Sequence, residues 1–118
     1  MTWHEEPVLE PATRTLVAWM VVEVPFDGPD KPWTRHLIGW RVEGGRGQVS
    51  SPVAALDPVR RRARTRSGRV YELRHGPGLN GDAFTTWCRW KARYGLDEER
   101  DISDKVAAFM DKAGELPE

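Results

Sequence analysis

The chain has 118 residues with 18 basic and 18 acidic side chains, so its formal net charge is zero. That length suits one domain with a core of its own, without metal or disulfide support, and one cysteine, Cys88, excludes an internal disulfide framework. The longest apolar run, LVAWMVVEVPF, is broken by Glu23 and is shorter than the roughly 20 residues a membrane span needs. The opening MTWHEEP lacks the basic and apolar regions of a secretion signal, so a cytoplasmic protein with no membrane partner is expected.

The neutral total hides a strong segregation. Residues 1–59 carry net −3, residues 60–95 net +8 and residues 96–118 net −5. Six arginines fall within the ten residues RRRARTRSGR at 60–69. The chain is thus a strong charge multipole whose near-neutral total hides a basic middle.

In chain order, residues 1–12 read as a flexible leader and 13–118 as a single α+β domain. Strand periodicity runs over about 14–74. The first strand, from Leu16 to Val24, is apolar on both faces, with Leu16, Ala18, Met20, Val22 and Val24 opposing Val17, Trp19, Val21 and Glu23, as in a central strand. The stretch FDGPDKPW, 26–33, interrupts it with turn formers. A second strand, RHLIGWRVE, ends at the hairpin signal GGRG, and a third, QVSSPVAAL at 48–56, runs at an edge or bends at Pro52, which cannot donate a ladder hydrogen bond.

The arginine stretch forms the next hairpin, and its register follows from side-chain chemistry. A two-residue Ser67–Gly68 loop would put Tyr71 and Leu73 on the face of Arg62, Arg64 and Arg66. A three-residue loop, Arg66–Gly68 with Gly68 left-handed, pairs Ala63 with Tyr71 and Arg62 with Glu72 instead. It turns the apolar residues inward and sets opposite charges across from each other.

Helical periodicity then appears over about 82–94, where Ala83, Trp87, Trp90 and Tyr94 make one stripe that Gly95 closes. A second helix over about 103–113 turns Ile102, Val106, Phe109, Met110 and Ala113 inward. The predicted architecture is a small curled antiparallel sheet of four to five strands followed by two C-terminal helices packed on it.

Between Ser50 and Trp90, the succession SSPV, TRSGRVYEL, GPG, DAF and two spaced tryptophans resembles a family of short proteins encoded by proteobacteria and their phages or integrated elements. The resemblance implies no catalytic residue. Its implied setting is that of mobile-element proteins, which often act as inhibitors docked on a host complex.

No catalytic constellation is expected. His4, His36 and His75 are scattered over a leader, a strand and a loop entrance, without a cysteine or carboxylate at metal-ligand spacing. HEEP and LDEERD read as solvated surface, and GPGLNG lacks the spacing of a dinucleotide loop. Hence no enzyme activity, metal, cofactor or small-molecule ligand is predicted.

Binding is predicted instead, through Arg60, Arg62, Arg64, Arg66 and Arg69 of the hairpin together with Phe26 and Trp33, which flank the proline-stiffened loop. Arginine and tryptophan dominate protein interface hot spots, so a protein partner is the leading reading. A nucleic-acid regulator using the basic ribbon is the alternative. The bland reading is that the arginines balance the acidic segment from Asp97 to Glu118.

Overall fold

Among residues 3–115, which the computed structural model describes, the first apolar run forms the central strand β1 (Arg14–Val24). It is followed by β2 (Thr34–Arg41), β3 (Arg46–Val49), β4 (Val53–Asp57), β5 (Arg62–Thr65) and β6 (Val70–Leu73). Helix α1 (Gly81–Arg93), the short strand β7 (Arg100–Asp101) and helix α2 (Ser103–Gly114) complete an α+β fold.

All seven strands belong to one sheet of order β3-β2-β1-β6-β5-β4, with β7 pairing the far end of β1. The sheet is mixed, not antiparallel, because Arg14–Leu16 of β1 run parallel to Tyr71–Leu73 of β6. The expected count of four to five strands is also exceeded, for two reasons. The strand expected at 48–56 breaks at residues 50–52 into β3 and β4, and the acidic segment after α1 supplies β7.

The break explains the curvature. Strands β3 and β4 occupy opposite edges of the sheet, yet only Ser50, Ser51 and Pro52 separate them, so the sheet curls round until its edges meet at this corner. The corner is tied to β2: Ser50 N donates to the Leu37 carbonyl at 2.9 Å, and Leu37 N to Ser50 Oγ at 2.9 Å.

Strand β1 does not keep a strict period of two. Its register with β2 shifts between Val17 and Met20, and Ala18 takes a positive φ of 46°. This bulge resets the parity, so Leu16 shares a face with Trp19 and Val21, not with Val22 and Val24 as simple alternation predicts. The loop after β6 closes over the bulge: Gly78 N donates to the Trp19 carbonyl at 3.0 Å, and Trp19 Nε1 to the His75 carbonyl at 3.2 Å.

Two apolar clusters result. One fills the inside of the curl with Leu16, Trp19, Val21, Leu37, Leu56, Tyr71 and Leu73, and α2 adds Val106 and Met110 to it. The other lies on the opposite face of β1 and β2, where Val22, Val24 and Ile38 meet Ala83 and Trp87 of α1. Helix α1 is capped by Asn80, whose Oδ1 accepts from Ala83 N at 3.0 Å. Its close approach to β3 depends on Gly47, where a Cβ would lie 2.8 Å from the Asp82 carbonyl oxygen and 2.9 Å from Ala83 Cα.

The N-terminal segment, read in sequence as a leader, is bonded to the sheet among its described residues. Leu56 N donates to the His4 carbonyl at 3.0 Å and Glu6 N to the Leu56 carbonyl at 3.3 Å, extending the sheet beyond β4. Val8 is fully buried, and its N–H donates to Asp57 Oδ2 at 2.9 Å. Trp3 packs against the inner cluster as well, and Arg62 and Arg64 add bonds to Val8, Glu10 and Glu6, so a segment that otherwise reads as polar is held at several points. No helix among the described residues is long and apolar enough to cross a membrane.

Candidate functional site

The hairpin of β5 and β6 has the three-residue turn that its sequence favours. Arg62 faces Glu72 and Ala63 faces Tyr71. Thr65 N donates to the Arg69 carbonyl at 2.9 Å, Gly68 N donates to the Thr65 carbonyl at 2.8 Å, and Gly68 has φ 91°. The tip is docked on the sheet corner, because Arg66 N donates to the Pro52 carbonyl at 2.7 Å.

The arginines are mostly committed within the chain. Arg60 pairs with the buried Asp57 at 3.0 Å. Arg61 donates to the Leu73 and His75 carbonyls and lies 3.7 Å from Asp111. Arg62 donates to the carbonyls of Val8 and Glu10 at 3.3 and 3.2 Å. Arg64 spans Glu6 at 3.1 Å and Glu10 at 3.3 Å. Arg66 grips Asp27 with two bonds of 3.0 and 2.7 Å. Arg69, exposed at the tip, has no such partner among the described residues. The balancing acids come chiefly from the N-terminal segment and from Asp27 and Asp57, whereas among the described residues the segment from Asp97 onward contributes Asp111 alone to this cluster.

These contacts perturb the groups that make them. The hydrogen bond from Arg64 holds the Glu6 carboxyl below its ordinary range, and that from Arg66 does the same for Asp27. At Asp57 burial pushes the carboxyl upward, but the Val8 and Arg60 N–H groups and the Arg60 guanidinium outweigh it and leave it lowered.

Phe26 and Trp33 lie on either side of the Arg66–Asp27 pair. An open cavity of about 400 Å³ is lined by Phe26, Trp90 and Tyr94 on one side and by Val49, Ser50, Ser51, Pro52, Arg66 and Ser67 on the other. Its aromatic wall is continuous. Phe26 stacks on Trp90 at 5.3 Å, Trp90 meets Tyr94 at 4.8 Å, and Phe26 meets Tyr94 edge-on at 5.2 Å. A neighbouring recess of about 320 Å³ holds Pro32, Trp33 and Val53 and shares Pro52 and Arg66 with the first. The Arg100 guanidinium lies 3.8 Å over the Trp33 ring.

Thus Phe26, Trp33 and Arg66 are brought together, while Arg60, Arg62, Arg64 and Arg69 line neither recess. Sequence reasoning missed Trp90 and Tyr94 as groove residues, since both fall on the stripe assigned to the core. The ring of Tyr94 is 48% exposed, whereas Trp87 on the same stripe is fully buried. The available signal was position, because Tyr94 is the last residue before the helix-ending Gly95.

Beneath the aromatic wall lies His36, its ring 4.7 Å from Trp90 and 5.5 Å from Phe26. Its Nδ1 bonds the Ser50 carbonyl at 2.9 Å, so that nitrogen carries the proton and Nε2 accepts from the Thr34 hydroxyl at 2.7 Å. Burial disfavours the imidazolium and lowers the His36 pKa, with the Ser50 carbonyl opposing and Arg66 adding to the effect. Both ring nitrogens are therefore occupied in holding the sheet corner. His4 meets Glu6 on the surface at 3.2 Å, and the free thiol of Cys88 is exposed on α1. Among the described residues no group of three or more His, Cys, Asp or Glu side chains converges as a metal site would. Neither a family model, nor a curated protein, nor a solved structure matches this chain.

Proposed function

We propose that this protein is a non-catalytic interaction or inhibitor module that docks on a protein partner through the groove at the tip of the arginine hairpin. The observation that carries this reading is the convergence of Phe26, Trp90, Tyr94 and Arg66 on one open cavity. Aromatic rings and arginine are the groups that supply most of the energy at protein interfaces, and here they stand on the end of helix α1, the turn after β1 and a tied hairpin tip. The resemblance over Ser50 to Trp90 points to a host complex as the setting, and we place the protein in the cytoplasm, where the exposed Cys88 thiol stays reduced.

A nucleic-acid regulator is the weaker reading. Phosphate binding needs cations free to displace counterions, and five of the six arginines already hold acceptors inside the chain. Capture of partners from nuclease-treated lysate of the source cell separates the two. Tyr94→Ala is expected to lose the partner and Arg69→Glu to keep it. Loss on nuclease treatment or with Arg69→Glu, with Tyr94→Ala unaffected, would transfer the site to nucleic acid.

A further inference from the structure

Resting on that docking reading, we propose that the occupant of the groove is a proline-rich segment of the partner in the polyproline II conformation. The argument is one of complementarity between what the groove offers and what such a chain lacks.

The acceptors along the corner wall are already engaged. The Val49 carbonyl takes Gln48 Nε2 at 3.2 Å, the Ser50 carbonyl His36 Nδ1 at 2.9 Å, the Ser51 carbonyl Ser50 Oγ at 2.7 Å and the Pro52 carbonyl Arg66 N at 2.7 Å. The hydroxyls of Ser51 and Ser67 bond each other at 3.2 Å. Asp27 is held by Arg66 through both of its oxygens. The donors are not engaged. Among the described residues the indole N–H of Trp90, the phenol of Tyr94 and the indole N–H of Trp33 have no acceptor, and the Trp90 and Trp33 nitrogens, unlike that of Trp87, are not sealed from solvent.

A groove with open donors, whose wall carbonyls each already accept one bond, favours a chain that presents carbonyls and brings few N–H groups. An ordinary extended peptide brings one N–H per residue, which must share carbonyls already in use or turn to water, and a helix hides its carbonyls in its own hydrogen bonds. Proline has no N–H, and the polyproline II backbone leaves its carbonyls unbonded. Its rigid apolar rings stack on aromatic faces with little conformational entropy left to lose.

The layout of the recesses fits the same ligand. Two hollows, one walled by Phe26, Trp90 and Tyr94 and the other by Pro32 and Trp33, adjoin across Arg66. A polyproline II chain repeats its face every three residues, about 9 Å, so the proposal seats successive apolar rings in the two hollows. The ridge between them is a mutually neutralised pair, with Arg66 and Asp27 bonded at 2.7 and 3.0 Å, and it calls for no net charge on the ligand.

The test titrates the full chain, isotopically labelled, with a capped proline decamer, a glycine–serine decamer of equal length and a thymidine oligonucleotide, following indole N–H resonances by NMR. The proline decamer is expected to shift the Trp90 indole resonance saturably, while the glycine–serine decamer does not. Affinity should change less than about twofold between about 50 and 500 mM salt, because no net charge is engaged. Tyr94→Phe, which keeps the ring, should weaken binding about three- to tenfold, as expected for one hydrogen bond. Tyr94→Ala should weaken it more than about tenfold.

No saturable shift in a folded protein would overturn the proline assignment. If Tyr94→Ala still loses its cellular partner, the docking reading stands with a different occupant; if capture is unchanged as well, both fall. A salt-sensitive shift with the oligonucleotide alone would overturn the assignment in favour of single-stranded nucleic acid. Should Tyr94→Ala fail to fold, Tyr94→Phe decides, and undiminished affinity in that variant refutes the donor argument.

Discussion

Asp57→Asn tests whether one buried carboxylate holds the N-terminal segment and the start of the arginine stretch together. Asp57 Oδ1 accepts from Val59 N and Arg60 N, both at 3.1 Å. Its Oδ2 accepts from Val8 N at 2.9 Å and from Arg60 Nη1 at 3.0 Å. An asparagine can keep the first pair through its carbonyl oxygen, but its NH₂ then faces two donors. The Val8 N–H is left buried without an acceptor, at about 1 to 3 kcal/mol, and the bond it made to a charged group, about 1.5 to 3 kcal/mol, is lost with it. These overlap, and the Arg60 side chain is 44% exposed, so its ion pair adds little. The expected cost is about 2 to 4 kcal/mol, read as a lower urea midpoint by tryptophan fluorescence at neutral pH. Because the Asp57 pKa is lowered in the folded protein, its contribution is complete above the unfolded value of about 3.9 and is lost as pH falls through the folded value. The gap between wild type and variant should therefore close below about pH 4. A cost under about 0.5 kcal/mol, or a gap that persists unchanged in acid, would refute this account of the segment's attachment.

Gly47→Ala should destabilise by about 1 to 3 kcal/mol and loosen α1, since its Cβ would meet helix backbone at 2.8 to 2.9 Å; an unchanged urea midpoint would reject that contact. Trp87→Ala should cost about 3 to 5 kcal/mol, and Trp90→Ala at most about 2 kcal/mol, because only the first ring is fully buried; equal losses in calorimetry would place Trp90 in the core. His36 is held neutral, so wild-type stability should fall as pH drops below about 6.5, where the unfolded imidazole takes up a proton that the folded one refuses. In His36→Gln that slope should flatten, and a flat wild-type profile between about pH 7 and 5.5 would contradict the buried, neutral ring.

Local chemistry made parts of this fold legible. The hairpin register followed from setting Arg62 against Glu72 and Ala63 against Tyr71, and Asn80 and Gly95 bracket α1 as capping rules require. What stayed hidden depends on contacts between distant residues. The bulge at Ala18 has no glycine to announce it and is held by Gly78, whose absent Cβ would lie 3.2 Å from Ala18 Cα. The parallel pairing of β1 with β6 closes the chain's first strand on one more than 50 residues away, and no local signal encodes it. The groove was half legible: Phe26, Trp33 and Arg66 stood out as aromatic and basic residues in turns. Trp90 and Tyr94 did not, because a helical stripe looks the same in sequence where it leaves the core as where it enters it.

The docked N-terminal segment also bears on how copies of the protein avoid one another. Strand β4 is the last in the sheet, and without residues 4–6 the outward N–H and C=O of Leu56 would stand open, in a stretch of small apolar residues that would pair readily with another chain. The segment satisfies both groups and sets Glu5 and Pro7 beside the edge, a charge and a proline being common obstacles to strand addition. A chain trimmed to begin at residue 11 would lose Val8 and the Trp3 packing from its core together with this cover, and its most available new partner would be a second trimmed copy, joined edge to edge along β4.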